Sequence, residues 1–391
     1  MANKFVLFII LMNYYLGKVL CLFTFNFTRQ RSTFTSSASP KSTFVCFTAN
    51  ALLIIMAPFI IKILTHNHRI LKMRSLAKVV ASYRIFLHYG NIVFAFVMQL
   101  KNHKKLENLV CEYLNLLKEY GVWRSTELLD KKAALVLGCR LLTSMYQLII
   151  AFFNFITQLA GDSLCVINVA PFVFWVSLFL TYSVLLTTFS IGMLIIAGFF
   201  RLTNFRLQIV MQNTVNAYKT GYNMQAFCEL SDKLDDLTCL YRKLLHISKE
   251  LNEVCQMQMM LWLIYAFIEI LTQSFFYYHR IRYSPEEASI VTAFFIATYI
   301  IQIYCFVWIS DVLKVDQMEA SRILSTYSLF VNTDARLEQS IEILHLEFKR
   351  DDITITICGL HYLNKEFFFS ICTASTMYLL LLIQFDRALK S

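Results

Sequence analysis

CVINVAPFVFWVSLFLTYSVLLTTFSIGMLIIAGFF, from Cys165 to Phe200, is apolar almost from end to end. An α-helix climbs about 1.5 Å per residue and a bilayer core takes about 20 such residues, so the stretch overshoots one crossing. No turn signal divides it, because Pro171 and Gly198 sit near its ends and Gly192 stands alone. It reads as one continuous helix that crosses a membrane and projects beyond it into water.

Outward from that stretch, further apolar runs fall at 43–65, 80–100, 133–158, 257–279, 288–311 and 366–385. A weaker run at 5–25 carries Asn13, Gly17 and Lys18, and reads as a span, a signal sequence or an interfacial helix. Composition agrees with membrane burial. Of 391 residues 57% are hydrophobic and 16% charged, and the mean hydropathy is +0.55, more apolar than the surface of a soluble globule can hold. With 9 Gly and 4 Pro the chain has few places to turn, which points to long helices. The apolar runs are continuous, not alternating, and this argues against a β-barrel. The 11 Cys are scattered without a C-x-x-C pair, so neither a zinc site nor a disulfide framework is indicated. His66 and His68 in a short loop are a weak metal signal, and no cofactor is implied. The expected fold class is an all-α membrane protein with seven transmembrane helices.

The net charge of +10 sorts by side of the membrane and does not read as a nucleic-acid patch. With the N-terminus in the cytoplasm, inner segments carry 25 Lys and Arg against 8 in outer segments. The C-terminus is then extracellular, the reverse of a G-protein-coupled receptor. The expected organisation is a cytoplasmic N-terminal region with an amphipathic helix over 1–42 and spans one to four over 43–200. A cytoplasmic anchor segment over 201–256, spans five and six over 257–311, a second anchor segment over 312–365, and a last span with its tail over 366–391 follow. The sequon Asn26-Phe27-Thr28 lies inside in this topology and is expected to stay unmodified.

The anchor segments are themselves patterned. Leu230, Leu234, Leu237, Tyr241, Leu244 and Leu251 form a stripe alternating four and three residues, with Ser248 at the missing step. Leu337, Ile341, Leu344 and Phe348 repeat the habit. Two such stripes would expose apolar faces to cytosol unless they pack on each other or on another subunit.

The last span ends Thr376-Met377-Tyr378-Leu379-Leu380-Leu381-Leu382-Ile383-Gln384-Phe385. This resembles the TYhhhhhQF signature of the insect gustatory receptors, where h is hydrophobic. The tyrosine, the five hydrophobic residues, Gln384 and Phe385 are in place, whereas Met377 stands where the family has threonine and Thr376 comes one residue early. The stretches Leu344 to Phe348 and Ile355 to Asn364 look like the family's passage into its final helix. The resemblance implies a chemosensory seven-helix receptor that is itself a cation channel. It further implies four subunits, as a homo- or hetero-tetramer with other gustatory receptor subunits, opening on a tastant without a G protein. The final helix would line the pore, the cytoplasmic helices would anchor the subunits, and ligand would bind within each subunit toward the outer leaflet. The implied location is the plasma membrane of sensory neuron dendrites, with membrane lipid and a small-molecule tastant as partners and no nucleic acid.

The residues allow a pore role for that helix. Met377, Leu381, Gln384 and Ala388 share one helical face. Gln384 could coordinate a partly hydrated cation, Leu381 and Met377 could gate by dewetting, and Phe385 could swing toward the axis. Alternatively, Gln384 bonds a neighbouring helix and Phe385 anchors in the interface.

Candidate ligand contacts are Arg84 and His88 in the second span, Asn154 and Gln158 in the third, Trp175 in the fourth, Tyr265 and Glu269 in the fifth, and Tyr299 and Gln302 in the sixth. Gln147 of the third span is a further polar group. Aromatic walls with a few polar groups suit a small-molecule site, and such a low-charge wall favours bitter or other apolar compounds over sugars. Glu269 could pair with Arg84 or Arg140, attract a cation, or hold a basic ligand. The competing reading is a receptor signalling through a G protein, but no D-R-Y follows the third span and no N-P-x-x-Y ends the seventh. No G-x-S-x-G, H-E-x-x-H or Walker loop suggests an enzyme.

Overall fold

The computed structural model describes residues 2–20, 25–30, 33–38, 41, 44–48, 51–52, 55–56, 58–59, 75–120, 130–161, 166–220, 224–283, 290–327, 335–350 and 354–388. Most of the expected 43–65 span lies outside them. The described elements are α1 (Ala2–Val19), β1 (Phe25–Gln30), β2 (Thr33–Ala38), α2 (Ser75–Glu119), α3 (Lys131–Gly161), α4 (Val166–Thr220), α5 (Met224–Tyr283), α6 (Ile290–Tyr327), α7 (Ala335–Arg350), β3 (Thr356–Ile357), β4 (His361–Tyr362) and α8 (Lys365–Ala388). The protein is an all-α membrane protein in architecture, its two small antiparallel hairpins apart.

The Cys165 to Phe200 stretch does continue as one helix. α4 runs for 55 residues, about 80 Å at the helical rise, and α5 is longer still at 60. In α5 the leucine stripe and the 257–279 span belong to one uninterrupted rod. α4 and α5 together form the hub: α4 packs on α5 and α6, and α5 packs as well on α2, α6, α7 and α8. At Gly192 of α4 an added Cβ would stand 2.7 Å from Leu251 Cδ2 of α5. Tyr113 of α2 donates to the Gly192 carbonyl at 2.9 Å, so three helices meet at this glycine.

Beyond the apolar spans the same rods form a packed layer. Leu234, Tyr241 and Leu244 of α5 and Leu337, Leu344 and Phe348 of α7 are all buried. The Tyr241 and Phe348 rings meet edge to face at 4.3 Å, and Ser231 shares a buried hydrogen bond of 2.8 Å with Ser340. The two stripes therefore cover each other within one chain. Burying a leucine from water stabilises by about 1.5–3 kcal/mol. The flanking pairs Arg242–Glu347 at 2.7 Å, Arg336–Asp232 at 2.6 Å and Lys243–Glu119 at 2.9 Å are exposed and set register more than stability.

The hairpins are additions that the helical reading lacked. β1 and β2 pair antiparallel with Asn26 opposite Ser37. β3 and β4 turn through Cys358 and Gly359, both at positive φ (53° and 68°), where glycine is at ease and a side chain is not. This second hairpin leads directly into α8. Asn364 Oδ1 accepts from the Phe367 amide at 2.9 Å, an N-cap with Glu366 in the first turn to match the helix dipole.

Candidate ligand cavity and peripheral helix

Within the bundle α3 and α6 are joined by a polar ladder. Gln147 donates to Thr298 Oγ1 at 2.7 Å, and Gln302 donates to Gln147 Oε1 and Thr143 Oγ1, each at 3.2 Å. Such bonds between membrane helices average about 0.6 kcal/mol each, and they fix which faces of α3 and α6 meet. Beside the ladder lies a narrow cavity of about 30 Å³. Five helices line it. α3 supplies Arg140, Ser144 and Gln147, and α6 supplies Tyr299 and Gln302. α4 contributes Phe179, Tyr182, Ser183 and Leu186, α5 contributes Trp262 and Tyr265, and α2 contributes Asn91.

The aromatic wall is ordered by its own contacts. The Tyr182 and Tyr265 rings are nearly parallel (6°) with centroids 6.4 Å apart, and the Tyr265 and Tyr299 hydroxyls lie 3.3 Å apart. Tyr182 donates to the Asn91 carbonyl at 3.0 Å. At the inner edge the Arg140 guanidinium donates to Ser190 Oγ at 2.8 Å and lies 4.2 Å from the centre of the Phe306 ring. Arg140 is thus not the partner of Glu269.

Of the sequence candidates, Tyr265, Tyr299 and Gln302 come together on this cavity. Glu269 is fully buried one turn along α5 from Tyr265, outside the lining, with Gln273 Nε2 at 3.3 Å from its carboxylate. The side chains of Arg84, His88, Asn154, Gln158 and Trp175 lie outside the described residues. Arg140, Ser144, Asn91, Tyr182 and Trp262 are lining residues that the candidate set omitted. The available signal was spacing: Arg140, Ser144 and Gln147 stand at steps of four and three, on one face of α3.

α8 sits differently. It rests on α5 and α6, and Asp386 alone of its described residues is buried. Its inner face, with Ile371, Cys372, Ser375, Thr376 and Leu379, borders a second cavity against α5 and α6. The Ser375 and Thr376 hydroxyls turn back to the helix backbone at 2.8 and 3.0 Å, which leaves that cavity apolar in character. Tyr378 meets Phe267 of α5 edge to face at 6.1 Å. Met377, Leu381 and Phe385 point away from the bundle, 62%, 45% and 61% exposed, with Gln384 exposed among them.

Where the helices continue past the spans, Arg201 of α4 ties α3 and α6 together. It pairs with Asp130 before α3 and lies 3.1 Å from Asp316 Oδ2 of α6. Burial pushes the Asp316 carboxyl up to about 6; Arg201 opposes this and Glu319 adds to it.

Membrane-length helices enclose a small aromatic cavity, and α8 rests at the edge of that bundle against α5 and α6. The chain belongs to the 7tm chemosensory receptor family, whose model matches residues 10–388. It is 27% identical over 165 residues to the gustatory receptor for bitter taste 93a of Drosophila melanogaster, covering 41% of this chain and 38% of that one. It is 28% identical over 159 residues to the gustatory receptor for bitter taste 22e of the same organism, covering 40% and 41%. The chain thus spans about two fifths of the length of the curated relatives it matches. In fold it is similar to the insect olfactory receptor OR5 from Machilis hrabei, solved in complex with eugenol. That likeness has a TM-score of 0.70 at 11% identity and covers 98% of this chain and 99% of that one.

Proposed function

We propose that this chain is a subunit of a tastant-gated, non-selective cation channel in the plasma membrane of sensory neuron dendrites. In this reading the N-terminus is cytoplasmic, seven helices cross the bilayer, and segments 201–256 and 312–365 form the cytoplasmic anchor. Four subunits, alike or mixed with other gustatory receptor subunits, surround a pore lined by Met377, Leu381, Gln384 and Phe385.

The observation that carries the reading is the two-sided character of α8. One face rests against α5 and α6 across a small cavity, and the other presents exposed Met377, Leu381 and Phe385 with the uncharged polar Gln384 among them. Four copies of that second face around an axis would cover each other and leave a hydrophobic constriction. The cavity between α2 and α6 is then the ligand site, and its aromatic wall suits a ring-bearing compound of the bitter kind better than a sugar. A receptor of this fold holding eugenol supports a small-molecule ligand.

The test is to express the chain alone and with partner subunits, and to record tastant-evoked cation current while G-protein signalling is blocked. Current persists if the chain is a channel subunit. In the same cells Leu381→Ser produces a leak without ligand. Current that disappears with the G protein, or an L381S variant as tight as the wild type, overturns the channel reading.

A further inference from the structure

Arg140 carries a buried positive charge into the ligand cavity without a matching negative one. The residue is 3% exposed. Among the described residues its side chain has two partners, the Ser190 hydroxyl and the Phe306 ring. Its Nε–H finds no acceptor, although a guanidinium offers five donors in a fork shaped for a carboxylate. None of the residues lining the cavity is acidic. Gln147 Oε1, on the same face of α3, takes a bond from Gln302. Glu269, a buried carboxylate of α5, lies outside the lining and has Gln273 beside it. A cation held this way in a membrane bundle is costly unless an anion compensates it.

We propose that the ligand supplies that anion: the cavity, about 30 Å³ here, widens to take a small aromatic acid whose carboxylate pairs with Arg140 while its ring lies against Tyr182, Tyr265 and Trp262. This rests on the cavity being the ligand site, and it narrows the ligand from any apolar aromatic to one bearing an acid group. Ser144, one turn along α3 from Arg140, is a second donor for the same carboxylate. A neutral analogue keeps the ring contacts but leaves the guanidinium uncompensated, so discrimination between acid and ester reads the interaction directly.

The experiment uses the full chain reconstituted in lipid nanodiscs and titrated with benzoate, phenylacetate and cinnamate, each against its methyl ester. In the wild type at least one acid binds about tenfold or more tighter than its ester, as for a truncated buried charge pair. In Arg140→Gln that preference falls to parity while the ester's own affinity holds. Arg140→Lys, which keeps the charge and loses the fork, retains part of it. Leu186→Phe, which fills the cavity, weakens acid and ester alike. Should every ester match its acid in the wild type, or R140Q keep the preference, the acid assignment is overturned. In the second case L186F still distinguishes the two readings: if it weakens both compounds, the cavity remains the site. If L186F leaves both untouched, the cavity reading itself fails. If R140Q does not fold, the acid-to-ester ratio of wild type and R140K decides.

Discussion

Gly192 of α4 lies so close to Leu251 of α5 that a Cβ at 192 would stand 2.7 Å from Leu251 Cδ2. The contact joins α4 to the rod that continues from the bundle into the packed leucine layer, and Tyr113 of α2 seals it from the third side. Size at this one position therefore sets how closely the two longest helices run.

Gly192→Val is expected to destabilise the protein by about 1–3 kcal/mol, the usual range for overpacking, because Leu251 is 2% exposed and has little room to turn away. Leu251→Ala alone costs about 2–5 kcal/mol through its cavity. Combined, the two should cost clearly less than their sum, read as thermal midpoints of detergent-solubilised protein. Strict additivity would show that the helices do not meet there.

The Gln147–Gln302 pair predicts a second non-additive cycle. Gln302→Leu leaves Gln147 Oε1 without its donor, a loss of about 1–3 kcal/mol for a stranded buried acceptor. Gln147→Leu takes an acceptor from Gln302 Nε2, a smaller loss, since that group still donates to Thr143 Oγ1. The double leucine variant should recover part of the loss, measured by the same melts.

At the start of α8, Asn364→Ala removes the cap on the Phe367 amide and should cost about 1 kcal/mol of helix stability. Faster amide exchange over residues 365–369 is the expected signature. Asn364→Asp should restore protection, since aspartate caps as well and favours the helix dipole.

Asp316 makes stability depend on pH with a defined sign. Its carboxyl is raised to about 6 in the folded protein, chiefly by burial, so the folded state binds the proton more tightly than the unfolded chain does. The ionised form costs stability above pH 6. That cost is relieved as pH falls through 6 and is gone near the ordinary carboxylate value of 3.8. Relative to Asp316→Asn, the wild type should therefore gain stability between pH 7.5 and 5, on the order of 1–3 kcal/mol. A wild type that loses ground to D316N over that interval would show that the Arg201 pairing outweighs burial.

Much of this architecture was legible in local pattern. The apolar run from Cys165 to Phe200 and the four-three leucine stripe after Leu230 each state their helix directly, because helical rise and period are properties of neighbouring residues. The Ile355 to Asn364 stretch shows the limit of that approach. It reads as a passage into the last helix, but its turn depends on left-handed backbone at Cys358 and Gly359. Its placement depends on Asn252 of α5, which donates to the Thr356 carbonyl at 3.3 Å, a partner about a hundred residues away in the chain. The cavity was half legible: Tyr265, Tyr299 and Gln302 stand out for their chemistry, while Arg140 reads from sequence only as a partner for Glu269.

The sequence by itself determined that this chain is helical, that it belongs in a membrane, and that its helices outrun the bilayer, since hydrophobicity and period are read residue by residue. Tertiary structure alone decided which faces meet. In α3 the spacing of Arg140, Ser144 and Gln147 marks a polar face, but nothing local says which other helices that face meets. For Arg140 its neighbours Ser190 and Phe306, contributed by two other helices, decide that.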